Sequence, residues 1–277
     1  SEEEILSKVR ELITILPANN EDDMSYGECE DDLNRVCESI ENGMADPAVT
    51  LSMISDNGYV FETKSAYARD MVTGFIRLNG STVGVVANRG VLFDEEGNET
   101  EKFDGRMSAE GAQKAADFVN FCDAFEIPVL TLTNVEGYAA TKCQEKKMAK
   151  AVASLNYAFA NATVPKVNVI VGNAYGSAYV TMNSKALGAD VVYAWTNASI
   201  GMMDANLAAK IISENPDEVS AKAAEYQELQ SSALSAAKRG YVDDIIEPTD
   251  TRKRVIAAFE MLFTKREDRP SKKHGTI

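Results

Sequence analysis

The chain has 277 residues, 45% of them hydrophobic and 26% charged, enough to bury one substantial core as one large domain or two small ones. Its 43 acidic against 28 basic side chains leave a net charge of −15, which argues against a nucleic-acid partner, whose phosphates need cations, and against a membrane surface. With one His (His274), scattered cysteines (Cys29, Cys37, Cys122, Cys143), no secretory signal and no membrane-length apolar run, the expectation is a cytoplasmic protein with reduced thiols, no membrane insertion and no metal.

Residues 3–15 carry Ile5, Val9, Leu12 and Ile13 at helical spacing. NNEDDMSYGECEDDLNR follows, acidic and turn-rich. It lacks the alternating ligands and in-register Gly of a calcium loop, so it reads as a solvated connection. Residues 59–65 and 83–88 (VGVVAN) are rich in β-branched side chains and read as strands. SAEGAQKAADFVNFCDAF reads as a helix with a closely packing face of Ala112, Ala115, Ala116, Val119 and Phe121–Cys122.

PVLTLT is the next strand, 145–160 a helix, and VPKVNVIVG a strand. A helix begins near Gly176, DVVYAW is a strand, and 217–239 reads as one long Ala-rich helix, solvated or in contact with a subunit. YVDDII and a helix over 252–264 close the pattern. Strands alternating with helices predict an α/β fold with a mainly parallel sheet and crossover helices. The expected organisation is an N-terminal helix and acidic linker over 1–57, the α/β domain over 58–264, and a basic tail over 265–277 that is extended or used in assembly. Sequons at Asn79, Asn98, Asn161 and Asn197 read as chance matches without a secretory signal.

Strands 128–133 and 167–171 each end in a glycine-containing loop, NVEGYAA with Gly137 and Tyr138, and GNAYGSAY with Gly172, Gly176 and Ser177. In parallel sheets ligands bind beyond the carboxyl ends of the strands. If these two strands are neighbours, their loops face one crevice, and backbone N–H groups there can form an oxyanion hole. The same glycines also suit plain turns and close packing, and spacing alone leaves both readings open. Ser177 as a nucleophile is disfavoured: its surroundings lack a nucleophile elbow, no His serves it, and the nearest Lys candidate is the distant Lys185.

LPANN (16–20), YARDMVTGFIRLNGSTVGVVAN (67–88), KAADFVNFCDAFEIPVLTLTNVEGY (114–138), QE (144–145), YAFANATVPKVNVIVGNAYGSAYVTMNSK (157–185), GADVVYAW (188–195) and the closing KKHGTI stand in an order and spacing specific to one family. The chain resembles the C-terminal half of the carboxyltransferase component of biotin-dependent acyl-CoA carboxylases and decarboxylases, which has a crotonase-like fold. The resemblance implies transfer of a carboxyl group between biotin, covalently carried by a biotin carboxyl carrier protein, and an acyl-CoA. An acyl-CoA-binding N-terminal half or subunit would come from another polypeptide or from sequence beyond this chain, in a homo- or hetero-oligomer. It assigns oxyanion stabilisation to the backbone at Gly137, Tyr138, Gly176 and Ser177, and the biotin pocket to Gly172, Ala174, Tyr175 and Tyr179.

Departures from the family pattern stand at both loops. Asn134-Val135-Glu136-Gly137-Tyr138 replaces the common Asp-Val-Pro-Gly-Phe, and Gly172-Asn173 replaces a basic pair, with Ser177 at a common Gly. Trp195 is a further pocket candidate or a core residue. Met202-Met203-Asp204 reads as packing or a partner contact. Asn88 and Lys114 match the family without an assigned role. The alternatives are a stand-alone crotonase-like acyl-CoA enzyme, with Glu136 or Glu145 as its carboxylate, and a non-catalytic scaffold subunit.

Overall fold

The two apolar runs that precede the glycine loops lie side by side at the centre of the sheet. In the computed structural model, residues 2–20, 22, 25–94 and 96–267 are described, so residues 268–277 of the expected basic tail lie outside them. The elements in chain order are α1 (Glu2–Ile15), α2 (Pro47–Ile54), β1 (Val60–Thr63), β2 (Met71–Leu78), β3 (Ser81–Asn88), β4 (Val91–Phe93), β5 (Glu99–Lys102), β6 (Arg106–Met107) and α3 (Ala109–Ala124). Then come β7 (Val129–Val135), β8 (Gly137–Tyr138), α4 (Lys142–Asn161), β9 (Lys166–Tyr175), α5 (Gly176–Thr181), β10 (Val191–Trp195) and β11 (Ser199–Gly201). The chain continues through α6 (Ala205–Ile212), α7 (Val219–Tyr226), a π turn (Gln227–Ser231), α8 (Ala233–Lys238), β12 (Asp244–Ile246) and α9 (Thr251–Leu262).

The main sheet runs β1–β2–β3–β7–β9–β10–β12, with β11 pairing the end of β9. β1, β2 and β3 are antiparallel neighbours, and every pairing from β3 to β12 is parallel. β2 escaped the sequence reading because it is buried at nearly every position, so it lacks the alternation of a half-exposed strand. Its hairpin with β3 turns at Asn79-Gly80, both at positive φ (51° and 77°), the conformation that Asn-Gly adopts most readily. Ser108 caps α3, its hydroxyl accepting from the Gly111 N–H at 2.8 Å, and Phe118 of that helix packs on Phe75 of β2 with ring centroids 5.1 Å apart. Gly84 lets α3 approach β3, since a Cβ there would stand 2.5 Å from the Cys122 sulfur. One apolar cluster runs from Ile15 through Ala258. Lys114 is buried in it, with its ammonium 2.9 Å from the Tyr67 carbonyl and 2.7 Å from that of Met71; burial lowers its pKa to about 8. No helix among the described residues is long and apolar enough to cross a membrane.

Two expectations need correction. The helix over 217–239 is broken: α7 passes into the π turn, and Ser232 is extended (φ −69°, ψ 151°) before α8 starts. The cause is tertiary. Ser232 bridges to Ser199, the first residue of β11, Gln227 donates to the Ser199 hydroxyl at 2.8 Å, and Ser231 packs where Gly201 has no side chain.

The acidic stretch is also more than a solvated connection. Asp31 takes the Arg35 guanidinium in two bonds of 2.9 Å, and the buried Arg252 meets Asp31 at 3.5 Å and Asp56 at 2.7 Å. Asp56 accepts the N–H groups of Asn79 and Gly80 at 3.2 and 2.7 Å, so the connection is tied to the β2–β3 turn.

The Arg35 hydrogen bonds hold the Asp31 carboxyl at about 2, down from 3.8. A depressed carboxyl stabilises the fold above its unfolded pKa, and that contribution is lost as pH falls from about 4 towards about 2. The shift corresponds to about 2 kcal/mol. Urea titrations of wild type and Asp31→Asn should therefore differ by about 2 kcal/mol at neutral pH and converge near pH 2. A difference that persists unchanged at low pH would contradict the assignment.

Candidate functional site

β7 and β9 are parallel neighbours, so the loops that leave their carboxyl ends meet. β9 runs directly into α5, and the joint is Gly176, at φ +60°. An L-residue is strained in that conformation, and its Cβ would stand 3.3 Å from the Met202 carbonyl. Ser177 lies inside α5, outside the left-handed region, so a side chain is accommodated there. On the other loop, the Glu136 and Ala139 N–H groups donate to the Gly105 and Met107 carbonyls at 2.8 and 2.9 Å. β6 pairs β8 in parallel register, setting Arg106 opposite Gly137 and Met107 opposite Tyr138. The Tyr138 hydroxyl joins the two loops, 3.0 Å from the Ser177 carbonyl and 2.7 Å from the Thr181 hydroxyl.

Between the loops lies a cavity of ≈300 Å³, lined by Gly137, Tyr138, Tyr175, Gly176, Ser177 and Ala178 from the two loops and by Met202, Met203, Asp204 and Leu207 from the β11–α6 segment. Arg106 and Glu136 complete the wall. A Cβ on Gly137 would meet nothing within 4 Å. The Tyr175 hydroxyl stands 3.2 Å from the Asn173 side-chain oxygen and 3.0 Å from the Ser199 hydroxyl. Burial raises its pKa, opposed by the Ser199 hydrogen bond, so at neutral pH it is an un-ionised phenol. Asn173 donates to Glu136 at 3.1 Å and receives the Asn134 side-chain oxygen on its N–H at 2.9 Å. The break in the predicted 217–239 helix matters here, because the π turn carries Gln227 to Ser199 and thereby braces Tyr175.

Of the residues singled out from the sequence, Gly137, Tyr138, Tyr175, Gly176 and Ser177 line this cavity together. Gly172, Ala174 and Tyr179 do not line it. Gly172 makes room for Asn134, whose side-chain oxygen would lie 2.6 Å from a Cβ there. Ala174 is buried where β9 meets β7 and β11. Tyr179 is buried in the core, which pushes its phenol up to about 12. Trp195 is a core residue, fully buried, its indole N–H on the Thr251 hydroxyl at 2.9 Å. Asn88 accepts the Asn134 N–H at 3.3 Å and so steadies the first loop.

Of the two readings for Met202-Met203-Asp204, packing does not hold for Met202, which is 76% exposed at the cavity. Glu136 lies in the wall, whereas Glu145, in the exposed first turn of α4, does not. Arg106 was not recognised: it sits on a two-residue strand, and only its long-range pairing with Gly137 brings it to the cavity. Among the described residues no group of His, Cys, Asp and Glu is arranged to hold a metal ion.

The mainly parallel sheet with its crossover helices is a crotonase-like fold, and the structural neighbours share it. The chain belongs to the Carboxyl transferase domain family, which it matches over residues 1–277.

It is 39% identical over 286 residues to the propionyl-CoA carboxylase beta chain of Roseobacter denitrificans, covering 99% of this chain and 54% of that one. It is 36% identical to the methylmalonyl-CoA decarboxylase subunit alpha of Veillonella parvula, covering 100% and 54% respectively. Among solved structures, the hexameric transcarboxylase 12S with hydrolysed methylmalonyl-coenzyme A superposes with a TM-score of 0.88 at 37% identity, over 98% of this chain and 53% of that one. The chain thus spans about half the length of the relatives it matches.

Proposed function

We propose that this chain is the biotin-side, C-terminal half of an acyl-CoA carboxyltransferase. The observation that carries the reading is the convergence of Gly137–Tyr138 and Gly176–Ser177 on one cavity, in a chain that matches the carboxyltransferase family along its whole length. An acyl-CoA-binding half, on another polypeptide or on sequence outside these residues, would face it across a shared site in a symmetric assembly.

The residues present fit a biotin ring carried on a partner protein. The volume is that of a small-ligand pocket, Gly137 leaves its floor open, and Tyr138, Tyr175 and Met202 offer apolar surface. Bound there, biotin supplies a ureido nitrogen that carries the carboxyl group and a ureido oxygen that gains negative charge as the group departs. The chain's part is to hold and orient that ring. The N–H groups in the first turn of α5 have no intrahelical acceptor, and Tyr175 gives them no side-chain cap. Together with the N–H groups at Gly137–Tyr138 they are donors for the oxygen, and losing one such donor typically costs about 10²–10³ in rate. The Tyr138 hydroxyl keeps the two donor loops at fixed separation. The net charge of −15 suits a half that does not itself gather the phosphates of coenzyme A.

The placement of Glu136 in the cavity wall favours one second reading, a stand-alone acyl-CoA enzyme with Glu136 as its carboxylate. Affinity recovery of this chain from its native source separates the two. The proposal predicts co-purification of a biotinylated carrier protein with a second crotonase-like chain or half. Recovery of the chain without any biotinylated protein, and coenzyme A binding by the chain alone, would favour the stand-alone enzyme.

A further inference from the structure

We infer that Arg106 reads the charge of the group attached to the bound ureido ring, pairing with its carboxylate; the inference rests on the biotin-side reading of this cavity. The cavity wall carries three charged side chains, Arg106, Glu136 and Asp204. Asp204 is committed to α6, whose Leu207 N–H it accepts at 3.1 Å. Glu136 is held by Asn173 at 3.1 Å. The guanidinium of Arg106 has one ion pair among the described residues, a slack 3.9 Å contact with Asp104, and its side chain is 48% exposed, so it can turn to a ligand without breaking a strong bond.

Its position is set by backbone pairing rather than by that contact. The β6–β8 register stands Arg106 against Gly137, the residue whose missing side chain opens the cavity. An anionic ligand entering beside Glu136 and Asp204, on a chain of net charge −15, meets repulsion. Arg106 is the cation in the wall that offsets it, and the planar guanidinium fork matches a carboxylate in two parallel hydrogen bonds.

The test is a ligand-observed NMR titration of the full chain with two stable probes, biotin methyl ester and its N1′-carboxymethyl derivative, which adds a carboxylate at the ureido nitrogen. Wild type should prefer the anionic probe by about tenfold, the size of one exposed charge-assisted pair. Arg106→Gln should erase that preference while leaving the neutral probe within about twofold, and Arg106→Lys should keep part of it, because the charge remains without the fork. Glu136→Gln should strengthen the anionic probe a few-fold by removing a like charge. Thermal melts of each variant confirm an intact fold.

An unchanged preference in Arg106→Gln, or an equal loss for both probes, overturns the inference and leaves the biotin-side reading standing. If wild type binds neither probe, the biotin-side reading of the cavity falls and the inference falls with it.

Discussion

Gly137→Val is expected to lower carboxyl transfer by the assembled enzyme at least about 100-fold while leaving the fold intact. The position is open: a Cβ there meets nothing within 4 Å, and the backbone lies in a short strand where a β-branched residue is well accommodated. The added side chain projects into the space that a ligand must occupy and blocks approach to the N–H groups of that loop. Melting temperature should change little, so the loss of activity separates cleanly from loss of structure. Gly176→Ala is the informative contrast. It adds left-handed strain of about 1–2 kcal/mol, and its methyl stands 3.3 Å from the Met202 carbonyl, so both stability and activity should fall. Transfer by Gly137→Val within about threefold of wild type would remove the glycine strand from the reacting site and favour a scaffold role for the chain.

Arg252→Ala is expected to cost about 3–5 kcal/mol of stability, the largest single effect on the fold. Arg252 is fully buried and donates to the carbonyls of Asp32 and Ile54 at 3.2 and 2.6 Å as well as to Asp56. Truncation leaves the Asp56 carboxylate buried without its counter-ion and frees the buried Ile54 carbonyl and the half-buried Asp32 carbonyl. The same cluster clamps the acidic connection, α9 and the β2–β3 turn, so the loss should appear as a global shift of the urea midpoint rather than local fraying. A cost below about 1 kcal/mol would mean that Asp31 and Asp56 find other partners.

The parts of the fold legible in the sequence were those with strong local patterns. β7 and β9 announced themselves as β-branched runs, and α3 by its Ala face. β2 did not, because a strand covered on both faces loses its period; the Asn79-Gly80 turn was the usable sign of its hairpin. The 217–239 segment has uniform helix propensity, and what breaks it is contact with Ser199, some thirty residues earlier in the chain. The candidate site divides the same way. Gly137 and Gly176 were visible as glycines after strands, whereas Arg106 and Met202 depend on pairings that no local window contains. Tyr179 and Trp195 were ambiguous because an aromatic near a strand end serves core and pocket alike, and here both are buried in the core.

The most direct test of the central claim follows a labelled carboxyl group. The assembly containing this chain is purified from its native source and incubated, in separate reactions, with a set of acyl-CoAs that each carry a labelled free carboxylate. The biotin-side reading predicts that label appears on the biotinylated carrier protein and that Gly137→Val in this chain prevents it. Label that never reaches the carrier, or that reaches it equally with the variant, would contradict the account.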